Sequence, residues 1–237
     1  MAKSRIDSPA PKSGFRSSSA AGLAQPVSIQ LRRKQRIVFD EQSEGVVFTI
    51  ENGCLVLDAD LAGNGTGMLL LLYPGDVIGR SLASNLANIG MTAVTAAVLT
   101  RRRLVDANSL QASTQSRLLV RSFLHNTAIG NLDVDERLAT LLSEMALHLG
   151  REASGACTFE LPLRRDEMAA YIALNPDTLS RAMSRLRSRG ILLTPTRTRA
   201  IVTDLAALIE LSPLAQALLN VRSSLGNASS LPPLKRV

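Results

Sequence analysis

The chain reads as an α+β protein in three successive parts: an antiparallel β-roll, one long helix, and a helix–turn–helix followed by a strand hairpin. Three observations predict this. Residues 27–105 hold short apolar runs split by glycine, asparagine and proline, the spacing of an antiparallel barrel or sandwich. After Ser109 the apolar positions recur every three or four residues, as on one face of a helix. Further on, strand, helix, turn, helix and hairpin follow one another in the order of a winged helix-turn-helix.

Residues 1–26 form a basic segment expected to be a flexible tail: across 1–36 there are eight Lys or Arg against one Asp. The β-rich part is expected over 27–108. Its strands are RIVF, GVVFTI, GCLVLDADL, MLLLLY and TAVTAAVL, with tight turns at Gly63-Asn64-Gly65 and Pro74-Gly75-Asp76. A helix of about five turns is expected over 109–132, where Leu118, Phe123 or Leu124, Ala128 and Leu132 repeat at helical spacing. Asp133-Val134-Asp135-Glu136 opens the next helix as a capping box, and Gly150 closes it. The helix-turn-helix part is expected over 133–211. It contains the strand CTFELPL, a helix near 165–173, a helix capped by Asn175 with Pro176 at its first position, the hairpin ILLTP/RAIVTD and a short helix Leu205–Glu210. The remainder, 212–237, is expected to be a largely flexible C-terminal tail.

The helix NPDTLSRAMSRLRSRG combines two patterns. Leu179, Met183 and Leu186 share a face that suits a core, while Arg181, Arg185, Arg187 and Arg189 crowd the rest. Such a helix is either a solvated surface helix or one that meets a polyanion. The charge distribution favours the second reading: the chain carries a net +7, and residues 160–199 alone hold eight Arg against four acidic residues. Nucleic acid is the first partner this implies, an acidic membrane surface the second.

Other classes are excluded by what the sequence lacks. No apolar run reaches the roughly 20 residues needed to span a bilayer, and the N-terminal stretch has no apolar signal core. Cys54 and Cys157 stand far apart with no metal-ligand spacing, so both are read as reduced, buried thiols of a cytoplasmic protein. With two His, no nucleophile motif and no phosphate-binding loop, nothing is placed to carry catalysis.

At LPLRRDEMAAYIALNPDTLSRAMSRLRSRGIL the chain resembles the cyclic AMP receptor protein/FNR superfamily of bacterial transcription regulators. NLDVDERLATLL resembles the hand-over from that family's dimer helix, and GVVFTIENGCLVL and PGDVIG resemble its cyclic-nucleotide-binding-like β-roll (jelly roll). The resemblance implies a homodimer on a palindromic double-stranded DNA operator, with one recognition helix per subunit in the major groove and RNA polymerase as a further partner. It places Pro176, Asp177, Ser180 and Arg181 towards the bases, with Arg181 as the guanine reader. Ser180 before Arg181 resembles the FNR/FixK branch. Asp177 stands where the family usually has Glu, so the base contact there is altered. Thr178, Ser184, Arg185 and Arg197 are expected at phosphates, and Leu118, Phe123, Leu124 and Ala128 in the dimerisation helix. Arg187 and Arg189 remain open between phosphate contact and a solvated helix end.

The family's nucleotide-holding residues are missing. Gly79-Arg80 replaces its Gly-Glu pair, and Ile89-Gly90-Met91-Thr92 replaces its Arg-Ser pair. Arg80-Ser81 comes too early in the chain to substitute. No cysteine cluster for iron–sulfur precedes the roll, and His125 and His148 lie in helices rather than at haem-ligand places. No cofactor is therefore expected, and a regulator active without ligand is the leading expectation. The alternative is a ligand-sensing or interaction module whose DNA binding depends on an unknown effector held in the β-roll.

Overall fold

The computed structural model describes residues 25–40, 43–60, 66–80, 88–103, 108–153 and 156–223, with side chains from residue 115 in the first long helix. Eight strands come first: β1 (Val27–Leu31), β2 (Arg36–Val38), β3 (Val46–Asn52), β4 (Leu55–Asp60), β5 (Thr66–Leu72), β6 (Val77–Gly79), β7 (Gly90–Ala93) and β8 (Ala97–Arg103). They pair antiparallel into two four-stranded sheets, β1-β8-β3-β6 and β2-β7-β4-β5. The sheets enclose a core that includes Ile50, Leu55, Leu72, Met91 and Leu99. This is the expected β-roll.

Two details differ from the sequence reading. TAVTAAVL is not one strand: Thr92-Ala93 end β7 and Ala97 begins β8. The carbonyl of Cys54 accepts from the N–H groups of both Val94 and Thr95. That contact turns the chain out of one sheet and into the other. The sequence reading also passed over β1, whose alternation of exposed and half-buried residues is weak; pairing with β8 over Val27↔Arg101 to Leu31↔Ala97 creates it. The expected turn at Gly63-Asn64-Gly65 lies outside the described residues, between β4 and β5, which pair from Asp60↔Thr66 to Leu55↔Leu72.

Helix α1 runs Asn108–Asn131 and α2 Val134–Leu149. The capping box is present: the Asp133 carboxylate accepts from the N–H groups of Asp135 and Glu136, and Glu136 accepts from the Asp133 N–H. Gly150 ends α2 without adopting a left-handed conformation. A Cβ there would collide with the Ala146 carbonyl and the Cys157 sulfur, so glycine is required by close packing rather than by its backbone freedom.

Beyond α2 come β9 (Arg151–Ala153), β10 (Ala156–Glu160), α3 (Arg165–Tyr171), α4 (Pro176–Ser188), β11 (Leu192–Thr196), β12 (Arg199–Val202), α5 (Leu205–Glu210) and α6 (Ala215–Ser223). A third sheet, β11-β12-β10-β9, flanks the helices. Helix α6 corrects the expectation of a flexible tail from residue 212. Its Leu218 and Val221 are buried against Leu124 of α1 and Leu147 of α2, so burial of an apolar face orders a segment that composition alone had assigned to coil.

The parts are packed together. One hydrophobic cluster runs from Cys54, Val56, Leu71 and Tyr73 of the roll through α2 into α3, α4 and β10–β12. At its edge lies Arg121 of α1, fully buried. It donates to Asp76 Oδ2 (2.7 Å) in the β5–β6 turn, to Glu144 Oε1 (3.0 Å) on α2 and to the Leu71 carbonyl. Its guanidinium also lies 4.7 Å from the centroid of the Tyr73 ring, which stacks on His148 of α2. Burial alone would lower the Arg121 pKa; the Asp76 and Glu144 carboxylates override it and hold the charge in place. Arg33 adds a second tie, from the β1–β2 turn to Glu167 Oε2 (2.8 Å) and the Pro162 carbonyl (3.0 Å). The Tyr171 hydroxyl adds a third, accepting from the Leu71 N–H at 3.2 Å.

Candidate nucleic-acid interface

Helix α3 ends in a tight turn at Ala173, whose φ of 53° is left-handed. The Leu174 N–H returns to the Ala169 carbonyl at 2.8 Å, and the chain enters α4 at a new angle. Asn175 caps α4 by accepting from the Asp177 N–H at 2.8 Å, and Pro176 occupies the first helical position, where a missing N–H costs nothing. Leu179, Ala182, Met183 and Leu186 are all buried in the shared cluster. That anchors one face and turns the other to solvent.

The outward face carries Pro176, Asp177, Ser180, Arg181, Ser184, Arg185, Arg187 and Arg189, all exposed, with Thr178 half-buried beside them. Arg181 makes no hydrogen bond or ion pair with any described residue and is free to reach outward. Ser184 is engaged within the helix: its hydroxyl donates to the Ser180 carbonyl at 3.0 Å and accepts from Arg187 Nη2 at 2.8 Å. Arg197 is exposed in the turn between β11 and β12, with Arg199 next to it at the start of β12. The outward residues of α4 and those of the β11–β12 turn thus lie on exposed surface of one compact unit.

Arg185 behaves differently from the sequence expectation. Its guanidinium is taken by Asp135 at the start of α2, with Nε 2.8 Å from Oδ2 and 3.1 Å from Oδ1, and Nη2 on Oδ1 as well. The Arg185 hydrogen bond holds the Asp135 carboxyl below the usual carboxylate range. Nothing in the local sequence signalled this pair, because its members are fifty residues apart.

The dimer-helix expectation needs a correction. Leu118, Leu124 and Ala128 are only 2%, 8% and 6% exposed, because the first packs into the roll and the second against α2 and α6. Phe123 is 70% exposed, and Leu119 and Val120 beside it are 64% and 44% exposed. These two residues were missed. Helix α1 is apolar on two sides, and the sequence reading followed the one that faces its own core. The outward side runs Ser116, Val120, Phe123, Thr127 and Gly130, at alternating steps of four and three. That is the spacing of a helix–helix seam.

Residues 136–211 match the family described as Crp-like helix-turn-helix domain. Residues 136–211 thus carry a Crp-like helix-turn-helix domain. The chain is 29% identical over 191 residues to the transcriptional activator protein FnrL of Cereibacter sphaeroides, covering 74% of this chain and 76% of that protein. It is 26% identical over 188 residues to the nitrogen fixation regulation protein FixK of Azorhizobium caulinodans, covering 74% and 75%. In overall fold it is similar to FixK2 from Bradyrhizobium japonicum, with a TM-score of 0.66 at 21% identity over 80% of this chain and 98% of that one. A CRP-family regulator from Thermus thermophilus shares the fold with a TM-score of 0.64, also at 21% identity, over 78% and 96%.

The roll departs from a nucleotide-holding pattern at the places identified from sequence. Gly79 ends β6 and Arg80 follows it. Arg80 Nη1 is buried with no hydrogen-bond partner among the described residues; Ser81 lies outside them. On β7, Met91 is buried in the roll core. Both cysteines are buried, and burial pushes the Cys54 and Cys157 thiols up, the opposite of an activated thiolate. Among the described residues no group of His, Cys, Asp and Glu is placed to hold a metal ion. No described helix is long and apolar enough to cross a membrane.

Proposed function

We propose that this transcriptional regulator acts in the cytoplasm as a homodimer on a palindromic operator, with α4 of each subunit in the major groove and RNA polymerase as its further partner. The observation that carries the reading is the division of α4. Four buried apolar residues fix it to the domain, and an outward face headed by an unpaired, exposed Arg181 is left to meet DNA. Arg181 reads a guanine through O6 and N7, and its fork suits that pair of acceptors. Pro176, Asp177 and Ser180 line the same edge. Asp177 is one methylene shorter than Glu, so it reads its base pair from closer in or not at all. Thr178 and Arg197 position the phosphates, while Ser184, bonded within the helix, orients Arg187.

The dimer forms through the outward side of α1 around Phe123. Exposed apolar residues at helix–helix spacing support this reading. Operator binding requires no cyclic nucleotide, in keeping with Gly79-Arg80 and Met91 at the places where the family's ligand residues stand.

Selection of bound duplexes from a random DNA pool tests the reading, using purified ligand-free protein at a stated salt concentration. Enrichment of a two-fold symmetric site, its half-sites about one helical turn apart, is the expected result. Enrichment of an asymmetric single site would remove the dimer from the reading. No enrichment would mean that an effector must first act on the roll.

A further inference from the structure

We infer that Asp135 withholds Arg185 from the DNA backbone, so that a carboxylate on α2 trims the affinity of the recognition helix for DNA of any sequence. The inference rests on the DNA-binding reading above and deepens it. Arg185 lies on the outward half of α4, four residues after Arg181. An unpaired arginine there would join the phosphate contacts. Instead its fork spans both oxygens of Asp135, and a guanidinium held two-pronged by a carboxylate has its charge offset and its preferred fork occupied.

The carboxylate is itself held in place and kept charged. Asp135 lies in the first turn of α2, where the helix dipole favours negative charge. Its own N–H donates to Asp133 Oδ1 at 2.8 Å. Asp133 and Glu136 flank it, so the start of α2 presents three carboxylates beside the later half of α4. A phosphate approaching Arg185 must displace Asp135 and also approach this negative edge. Asp133 contributes to the field at Arg185, and Arg189, one turn further along α4, to the field at Asp135.

The consequence is for overall affinity and its salt dependence. Each phosphate contact adds affinity for every DNA sequence alike, through the counterions it releases. Neutralising Arg185 removes one such contact per subunit and leaves the base-reading Arg181 untouched. Operator and random duplex are both bound more weakly by the same factor, so the ratio between them is kept while the chain dissociates faster from DNA of any sequence.

The slope of log Kd against log salt, between about 50 and 200 mM, reads this directly. It is measured by fluorescence anisotropy for the full chain on its selected operator and on random duplex. Asp135→Asn frees Arg185 and is expected to steepen the slope by about 0.9 per subunit. It should also tighten binding several-fold on random duplex and operator alike. Arg185→Ala in the otherwise unchanged chain is expected to leave both slopes where they were, and the double variant to match Arg185→Ala. Asp135→Glu keeps the pair and the original slope, which separates loss of the charge from loss of the fold. If Arg185→Ala alone flattens the slope by about 0.9 per subunit, Arg185 abandons Asp135 for phosphate and the inference is overturned. That single variant decides the matter even if Asp135→Asn fails to fold. Asp135→Asn with an unchanged slope overturns it equally. Absence of any DNA binding by the unmodified chain would instead bring down the DNA-binding reading itself, and this inference with it.

Discussion

Arg181 and Arg185 are chemically identical, four residues apart on one helix, and differ only in what stands beside them. Arg181 has no partner among the described residues, and Arg185 has Asp135. Arg181→Ala should therefore cost about 1–3 kcal/mol on the operator and relax discrimination at one base pair. Equal losses on operator and random duplex in a binding titration would make it a phosphate contact instead. His125 offers a test of a different kind. Its ring stacks on Tyr171, and burial lowers its pKa from 6.5 to about 4. Between those values the unfolded chain binds a proton that the folded chain refuses, so stability falls as pH drops through that window and is indifferent to this group above it. The loss amounts to up to about 3 kcal/mol. His148, which burial also keeps neutral, adds to it with the same sign. Urea titrations at pH 7 and pH 4.5 should show this loss, and His125→Gln should reduce it. An unchanged pH dependence in that variant would mean His125 is solvated.

Helix α1 is apolar on two sides, and the two sides predict opposite phenotypes. Leu118 fills the roll core, so Leu118→Ala should lower folding stability by about 2–5 kcal/mol. Phe123 projects into solvent, so Phe123→Asp should leave the thermal midpoint of the subunit nearly unchanged while converting the proposed dimer to monomer in sedimentation. A Phe123→Asp protein that remains dimeric would move the interface elsewhere. Helix α6 shows how an element can hide from composition. It is only nine residues long, and the segment from residue 221 onward is rich in Ser, Asn and Pro. What orders Ala215–Ser223 is the surface that Leu124 and Leu147 provide for Leu218 and Val221.

For the molecule as a whole, the junction at Arg121 carries the most consequence. Roll, α1 and α2 each contribute one member to a buried ionic set. Arg121→Met leaves Asp76 and Glu144 buried without their cation, a change that costs roughly 3–5 kcal/mol. Both tyrosines of the chain, Tyr73 and Tyr171, sit at this junction, and there is no Trp. Tyrosine fluorescence therefore reports the junction, while far-UV circular dichroism reports the whole. In the unmodified protein the two unfolding curves should coincide, since one hydrophobic cluster joins the parts. In Arg121→Met the fluorescence change should come first. Coincident curves at undiminished stability would mean that the junction is solvated and the parts are joined elsewhere.

Much of this architecture is local chemistry, and local chemistry is legible in sequence. The change of apolar period after Ser109, the Asp133–Glu136 capping box, Asn175 before Pro176, and Leu179, Met183 and Leu186 beneath a row of arginines each specify an element or a face by themselves. They do so because hydrogen-bond geometry and side-chain spacing act over a few residues. Tertiary structure alone decided which apolar side of α1 meets its own core, that residues 215–223 form a helix, that Asp135 closes on Arg185, and that Arg121 finds Asp76 and Glu144. Periodicity reveals that a face will be buried without naming its partner. An ion pair between residues fifty positions apart exists only once packing has brought its helices together.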